Sequence, residues 1–495
     1  MTQNRAILLI VALTAYRVLL LAFDRTDLFV DEAQYWMWSR DLAFGYFSKP
    51  PMIAWVIHLT TALGGSDGRF WIRLSSPLVH GATAAIVMAF ARAVTGSPRI
   101  AAWSGASFVT LPGVALSSVF VSTDTILLFF YALATLAAAR LSLHPAARRP
   151  TPAASDDPVN GPRPAVGIAL AIGLGLAIGL GLLSKYAMLY FAATAALAAV
   201  VVPHARMRRQ HAAITGLVAC LTVLPNLLWN ARHGGATFRH TSDNIGWTGP
   251  YFHADRAVEF FAAQFGVVGP VVFAAMIAAV SFVLRGRAGP SDRHLALLSW
   301  PIVGLLVVQA LMSRAYANWA ATAYVAGVVL AIAYLDANWK KGLRISLAVN
   351  GSVALALPLL CAFPQTHLPG QPPILNRYLG RSALSLSLAA QARAEGLTTI
   401  VADNRDILAD LVYTLRGSEI AVRARPTGTA PRNSHEQDMT YDPSRDAARV
   451  LLVAEVPLAC PFDTPVALPP IRQENGFMAN RALLPYAVDG RCLTP

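Results

Sequence analysis

The chain runs again and again for about 20 residues without a strong polar break, and no other feature limits its fold as much. A helix of that length spans a hydrocarbon core, where every backbone N–H and C=O must pair inside its own segment. Such runs lie near 6–23, 69–91, 100–118, 121–140, 165–182, 186–203, 212–229, 258–284, 295–312, 320–335 and 344–363. They predict a polytopic α-helical membrane protein with about eleven transmembrane helices. The stretch 165–203 is too long for one helix, and Ser184-Lys185-Tyr186 at its middle predicts a turn that keeps the lysine out of lipid. Composition agrees: 55% of residues are hydrophobic and 14% charged, with mean hydropathy +0.48, where a soluble domain carries about 25% charge. The net charge of +13 would suit nucleic acid, but this hydropathy excludes a soluble nucleic-acid binder. Membrane lipids are the expected surroundings.

Lysines and arginines give an orientation. They crowd one set of connections, such as Arg206, Arg208 and Arg209 or Lys340 and Lys341, and thin out in the other. The crowded set is expected to face the cytoplasm, with the N-terminus inside. Of the 27 acids, 13 follow residue 363. Residues 1–363 are therefore expected to form the transmembrane catalytic domain, and 364–495 a small C-terminal periplasmic α/β domain. In that tail Thr398–Ala402, Glu419–Arg423 and Arg449–Glu455 read as strands, and Arg405–Arg416 as a helix. The first span lacks a small-residue cleavage site before Asp24 and reads as an uncleaved anchor. Pro145–Pro164 reads as a linker. Cys460 and Cys492 fall in the exterior domain, where pairing is an open question; Cys220 and Cys361 read as packing thiols. Gly175 and Gly179 form a GxxxG, which predicts close helix packing.

The loops opposite the basic ones hold the candidate chemistry. The first contains Asp31, Glu32, Tyr35 and Tyr46, then Ser48-Lys49-Pro50-Pro51. Adjacent acids at a helix start are explained by the helix dipole, and equally by a general base acting on a hydroxyl, with the aromatics stacking a sugar. Lys49 sits on a backbone stiffened by two prolines and suits a phosphate leaving group, as does a lysine that merely snorkels. Asp124, in Ser122-Thr123-Asp124, reads as a helix cap or as a substrate contact. Lys185 is a boundary lysine and so a functional candidate. Trp229, Asn230, His233 and His240 interleave rings with groups able to grip a sugar, and Arg314 and Asn318 complete the set. The spacing of His233, His240 and His253 argues no metal site. No cofactor is called for, and the need for a divalent metal stays open.

In their order along the chain, Asp31-Glu32, Ser48-Lys49-Pro50-Pro51, Ser122-Thr123-Asp124, Gly181–Tyr186, Pro225–Asn230 and Ser313–Trp319 give the chain its resemblance to the family-39-like glycosyltransferases of GT-C fold. These include the protein mannosyltransferases and the bacterial aminoarabinose transferase of lipid A. The resemblance covers most of residues 1–335. It implies transfer of a sugar from a polyprenyl-phosphate donor to lipid A or another envelope acceptor at the outer membrane face. By position, Asp31 matches that family's expected base or acceptor contact, with Glu32 beside it. Lys49 matches the lysine that contacts the carrier phosphate, and Lys185 and Arg314 are further candidates to neutralise it. Where the aminoarabinose transferase has Glu before Lys-Pro-Pro this chain has Ser48, which weakens any carry-over of a metal site.

A single inverting displacement is expected, with Asp31 taking the acceptor proton. Two other readings stand beside it. One keeps the fold and makes the acceptor a protein. The other is a transporter or flippase of a lipid-linked sugar, which should carry its charges near the middle of the membrane and on both faces.

Overall fold

Each of the eleven apolar runs is helical over most of its length, but fewer cross the membrane by length and composition than their number suggests. The computed structural model describes residues 1–141, 164–247, 249, 252–428, 430–455, 460–479 and 481–493. All but the last residue of the expected 145–164 linker lies outside the described residues. Among them seven helices are long and apolar enough to span: Gln3–Leu21, Arg69–Thr95, Thr123–Leu141, Ala165–Ser184, Arg209–Arg232, Pro290–Met312 and Lys340–Ala362. Ala254–Val268 and Pro270–Leu284 count as an eighth if the pair, bent by 117°, is one span.

The expectation of about eleven counted apolar runs, and three of those runs hold no apolar helix of 18 residues or more. The helix Pro98–Thr110 stops at Leu111, whose extended ψ of 134° is what the ring of Pro112 imposes on the residue before it. Tyr186–Val201 and Ala323–Asn338 are apolar but shorter than 18 residues. The run 165–203 does divide at Lys185, which is extended between the helix ending at Ser184 and a 3-10 turn over Tyr186–Met188.

The bend at Gly269 has a local cause. Its φ of 92° is left-handed, and a Cβ there would overlap the Asn350 side chain, whose Nδ2 donates to the Val268 carbonyl at 3.0 Å. The GxxxG also packs as read: Cβ atoms at Gly175 and Gly179 would meet Val218 and Thr222 of the helix Arg209–Arg232. Arg17, in the first span, points inward, fully buried, and its Nη2 donates to the Val109 carbonyl at 2.8 Å.

The chain forms two compact units. The first comprises Met1–Leu21, Lys49–Ile53 and Arg73–Pro358; the second comprises Ala22–Ser48, Ala54–Ile72 and Leu359–Pro495. The tail expected from residue 364 is thus joined in the second unit by two N-terminal segments. Its strands are β1 (Thr399–Ala402), β2 (Ala421–Ala424), β3 (Arg449–Ala454), β4 (Val466–Ala467), β5 (Ile471–Arg472) and β6 (Ala482–Asp489). They run in the order β2-β1-β3-β6-β4, with β5 also on β6. The pairs β2–β1 and β1–β3 are parallel, while β6 is antiparallel to its partners. Ile400, Leu451 and Val453 of the central strands pack on Leu388, Ile407 and Leu411 of the helices Arg381–Ala394 and Arg405–Thr414. Cys460 and Cys492 are joined by a disulfide across 32 positions. Of the free thiols Cys361 is buried, whereas Cys220 is exposed on its helix.

One buried acid gives the second unit a pH dependence. Asp410 is 2% exposed, and its Oδ2 accepts from Ser385 and Thr414 while Oδ1 has no hydrogen-bond partner among the described residues. Burial pushes its carboxyl up to about 6. Stability from the protonated form is therefore full below the ordinary carboxylate range and is lost as pH rises through about 6. The Asp410→Asn variant keeps the acceptor without the charge. Melting of the purified protein between about pH 3 and 8 should show wild type losing up to about 3 kcal/mol that the variant retains; equal slopes would reject the assignment.

Candidate active site

Asp31 and Glu32 open the helix Val30–Ser39, and their surroundings separate them. The first N–H groups of a helix have no carbonyl behind them, and Glu32 supplies one acceptor by taking the Phe29 N–H on Oε2 at 3.0 Å. It is buried and serves the helix start. Asp31 is 45% exposed at its side chain, and its Oδ1 accepts from Arg405 Nη2 at 2.5 Å. Gln34, one turn on, accepts from Arg405 Nε at 2.9 Å, and its Nε2 donates to Ser48 Oγ at 3.4 Å.

The tyrosines of this loop are packed rather than presented. Tyr35 and Tyr46 are both buried. The Tyr46 ring stacks on Trp38 at 4.8 Å, and its hydroxyl accepts the Ala43 N–H and faces the Trp38 and Asp41 carbonyls. Burial pushes that hydroxyl up to about 12. Beyond the loop, Trp38 Nε1 donates to Ser434 Oγ. The next residue, His435, is fully buried, and neither ring nitrogen has a hydrogen-bond partner among the described residues. Burial first, and the charge of Arg405 second, push it down to about 4, so it is neutral at physiological pH.

Lys49, Asp124, Lys185 and Asn318 belong to the first unit. Asp124 stands in the first turn of the helix Thr123–Leu141, but both its oxygens go to side chains. Lys185 Nζ donates to Oδ1 and Asn318 Nδ2 to Oδ2, each at 2.7 Å. The lysine that interrupts the long apolar run is thereby paired with the lone acid of its region. Next to it the Tyr186 hydroxyl donates to Asn226 Oδ1 at 2.8 Å and accepts from Asn230 Nδ2 at 3.3 Å. Asn230 is fully buried, and its amide is spent on this network and on the Thr237 N–H. Trp229 stacks on His233 at 4.1 Å, and His240 meets Asn244.

Arg314 is set apart from that cluster. Its guanidinium lies over the Tyr316 ring, 5.5 Å from the centroid, in the wall of a cavity of about 710 Å3. Asp243, His253, Arg256 and Glu259 share the lining; Lys49, Asp124 and Lys185 do not. Arg256 Nη1 donates to the Ser313 carbonyl at 2.7 Å. Among the described residues no three His, Cys, Asp or Glu side chains are grouped as a metal ion would require. Sequence reading missed Arg405, Gln34 and Arg256. A tail arginine 374 positions from Asp31 carries no local signal of the pairing.

Residues 48–148 match the family model described as dolichyl-phosphate-mannose-protein mannosyltransferase. Over 496 aligned residues, covering all of both chains, the sequence is 44% identical to the lipid A galacturonosyltransferase RgtD of Rhizobium johnstonii. The structure resembles that of ArnT from Cupriavidus metallidurans bound to undecaprenyl phosphate, with TM-score 0.63, 15% identity and full coverage of both chains. It also resembles the oligosaccharyltransferase of Archaeoglobus fulgidus, with TM-score 0.52 and 11% identity over 91% of this chain and 69% of that one.

The Asp124–Lys185 pair is mostly buried, so removing one partner leaves a charge without compensation. Asp124→Asn and Lys185→Met should each lower thermal stability, and the double variant should lose less than their sum, by about 1–3 kcal/mol. Additive losses in a double-mutant cycle would mean that the pair does not couple.

Proposed function

The chain belongs to the family of the Rhizobium johnstonii lipid A galacturonosyltransferase and is a multi-pass membrane glycosyltransferase of GT-C fold; from that premise we propose that it moves a uronic acid, galacturonic acid by this relationship, from a polyprenyl-phosphate donor to lipid A. The observation that carries the reading is the 44% identity over the whole of both chains. Exposed arginines at Arg232 and Arg239 suit an acidic sugar. The ArnT likeness supports the carrier, since that protein was captured with undecaprenyl phosphate. In this reading the reaction takes place at the periplasmic face, with the N-terminus in the cytoplasm.

The chemistry is a single displacement. The acceptor oxygen bonds to the anomeric carbon as its proton passes to Asp31, and the bond from that carbon to the phosphate oxygen breaks, leaving polyprenyl phosphate. Asp31 suits the base role better than Glu32, which is buried at the helix start. Lys49 and Lys185 neutralise the phosphate, whereas Arg314 lines a separate cavity. Because Lys185 already faces Asp124, its field is largely cancelled and Lys49 carries more of the load. Asp124 and Asn318 hold Lys185 in place. Trp229, His233 and His240 supply rings and donors for the sugar, whereas Tyr35, Tyr46 and Asn230 are buried.

A second acceptor class, protein, has the match of residues 48–148 to a protein mannosyltransferase model in its favour. Incubating membranes with labelled polyprenyl-phosphate galacturonic acid separates the two, since label should enter lipid A rather than protein. Asp31→Asn should lower transfer about 10²–10⁴-fold, and near-normal turnover would remove Asp31 as the base. For Lys49→Ala the expected loss is in donor binding; an unchanged affinity for the labelled carrier would sink that assignment.

A further inference from the structure

We propose that Arg405 is the positioning residue for Asp31, holding its carboxylate so that one oxygen faces the acceptor hydroxyl. The inference rests on the reading of Asp31 as the base. A carboxylate on an exposed helix turn rotates freely, and a general base works only when a lone pair meets the proton in near-attack geometry. Bases are accordingly often held by a third group.

Arg405 has the geometry for this. Asp31 and Gln34 are three apart on one helix and share a face. The guanidinium spans both, with Nε on Gln34 Oε1 at 2.9 Å and Nη2 on Asp31 Oδ1 at 2.5 Å. Gln34 is itself oriented by its donation to Ser48 Oγ. Arg405 opens the helix Arg405–Thr414, where Asn404 caps the Asp406 N–H at 2.8 Å and donates to Glu455 Oε1 at 2.9 Å. The bracket therefore stands on fixed elements at both ends. Asp31 Oδ2 has no partner among the described residues, and the side chain is 45% exposed, so that oxygen is open to a hydroxyl.

A purely structural brace fits less well, because the same loop is tied to the tail elsewhere. Asp27 accepts from the Arg381 N–H and from Ser382 Oγ, each at 2.8 Å, and the Tyr413 hydroxyl donates to the Asp67 carbonyl at 3.0 Å. Trp36 meets Tyr413 edge-on at 5.0 Å. Losing Arg405 would leave these ties in place and release only Asp31 and Gln34.

The test uses full-length protein in liposomes, with polyprenyl-phosphate galacturonic acid and lipid A. Arg405→Gln should lower kcat about 10- to 100-fold, with KM for each substrate within about twofold of wild type. Arg405→Lys should recover part of the rate, since an ammonium keeps the charge but cannot span both partners. Added guanidinium ion should raise the rate of Arg405→Ala and leave Asp31→Asn unmoved. A wild-type kcat in Arg405→Gln overturns the proposal, as does a loss confined to KM, which would make Arg405 a substrate contact. So does an Arg405→Ala protein that binds donor normally yet ignores guanidinium. Should Arg405→Gln not fold, the lysine variant and the guanidinium titration decide. An active Asp31→Asn would bring down the base reading and this inference together; an inactive one beside a fully active Arg405→Gln would remove this inference alone.

Discussion

Hydrocarbon offers no hydrogen-bond partner, so every polar group kept by the first unit has to be answered from within the protein. That constraint explains most of its internal polar contacts. Arg17 turns inward and gives Nη2 to the Val109 carbonyl, while its Nε and Nη1 have no hydrogen-bond partner among the described residues. Asn350 reaches the carbonyl left free where the helix bends at Gly269. Tyr186, Asn226 and Asn230 satisfy one another, and Lys185 has Asp124. The apolar helices set the frame, but these few polar commitments fix where each helix may stop, bend or approach another.

The second unit obeys a different rule, because its residues read as facing water. There an ion pair contributes little unless it is held by geometry. The contacts of Arg405 and Arg381 meet that condition. Arg381 is fully buried, its guanidinium lying over the rings of Phe29 and Phe477 and near Asp406, while its backbone N–H goes to Asp27. The two arginines join the first loop to the tail by forks and rings rather than by isolated surface charges.

Much of the fold was legible because the signals are local. Apolar runs became helices, Lys185 broke the longest run, and the tail segments at 398–402 and 449–455 became β1 and β3 nearly as read. The count of spans was less legible, since apolarity does not report that Pro112 ends one helix or that Gly269 bends another through 117°. At the site, composition could pick out Asp31, Asp124 and Lys185 as rare charges. It could not say that Glu32 caps its own helix, that Asn230 is buried, or that Arg314 lines a cavity apart from Lys185. The Glu32 bond spans three positions and the Asn230–Tyr186 bond 44, and neither follows from a periodicity.

The second unit is assembled from three separated stretches of chain, and this bears on the timing of synthesis. Asp31 leaves the ribosome early, and 374 positions pass before Arg405 follows. At about 5–20 residues per second the first loop waits about 20–75 s for the segment that completes its fold. Through that interval the nascent chain holds its first acids on an unfinished surface, while the apolar helices made in between are already available to the membrane. A chain cut short before residue 405 can therefore be well inserted and still lack the partner of Asp31. The partner of Asp31 arrives only with the last quarter of the polypeptide.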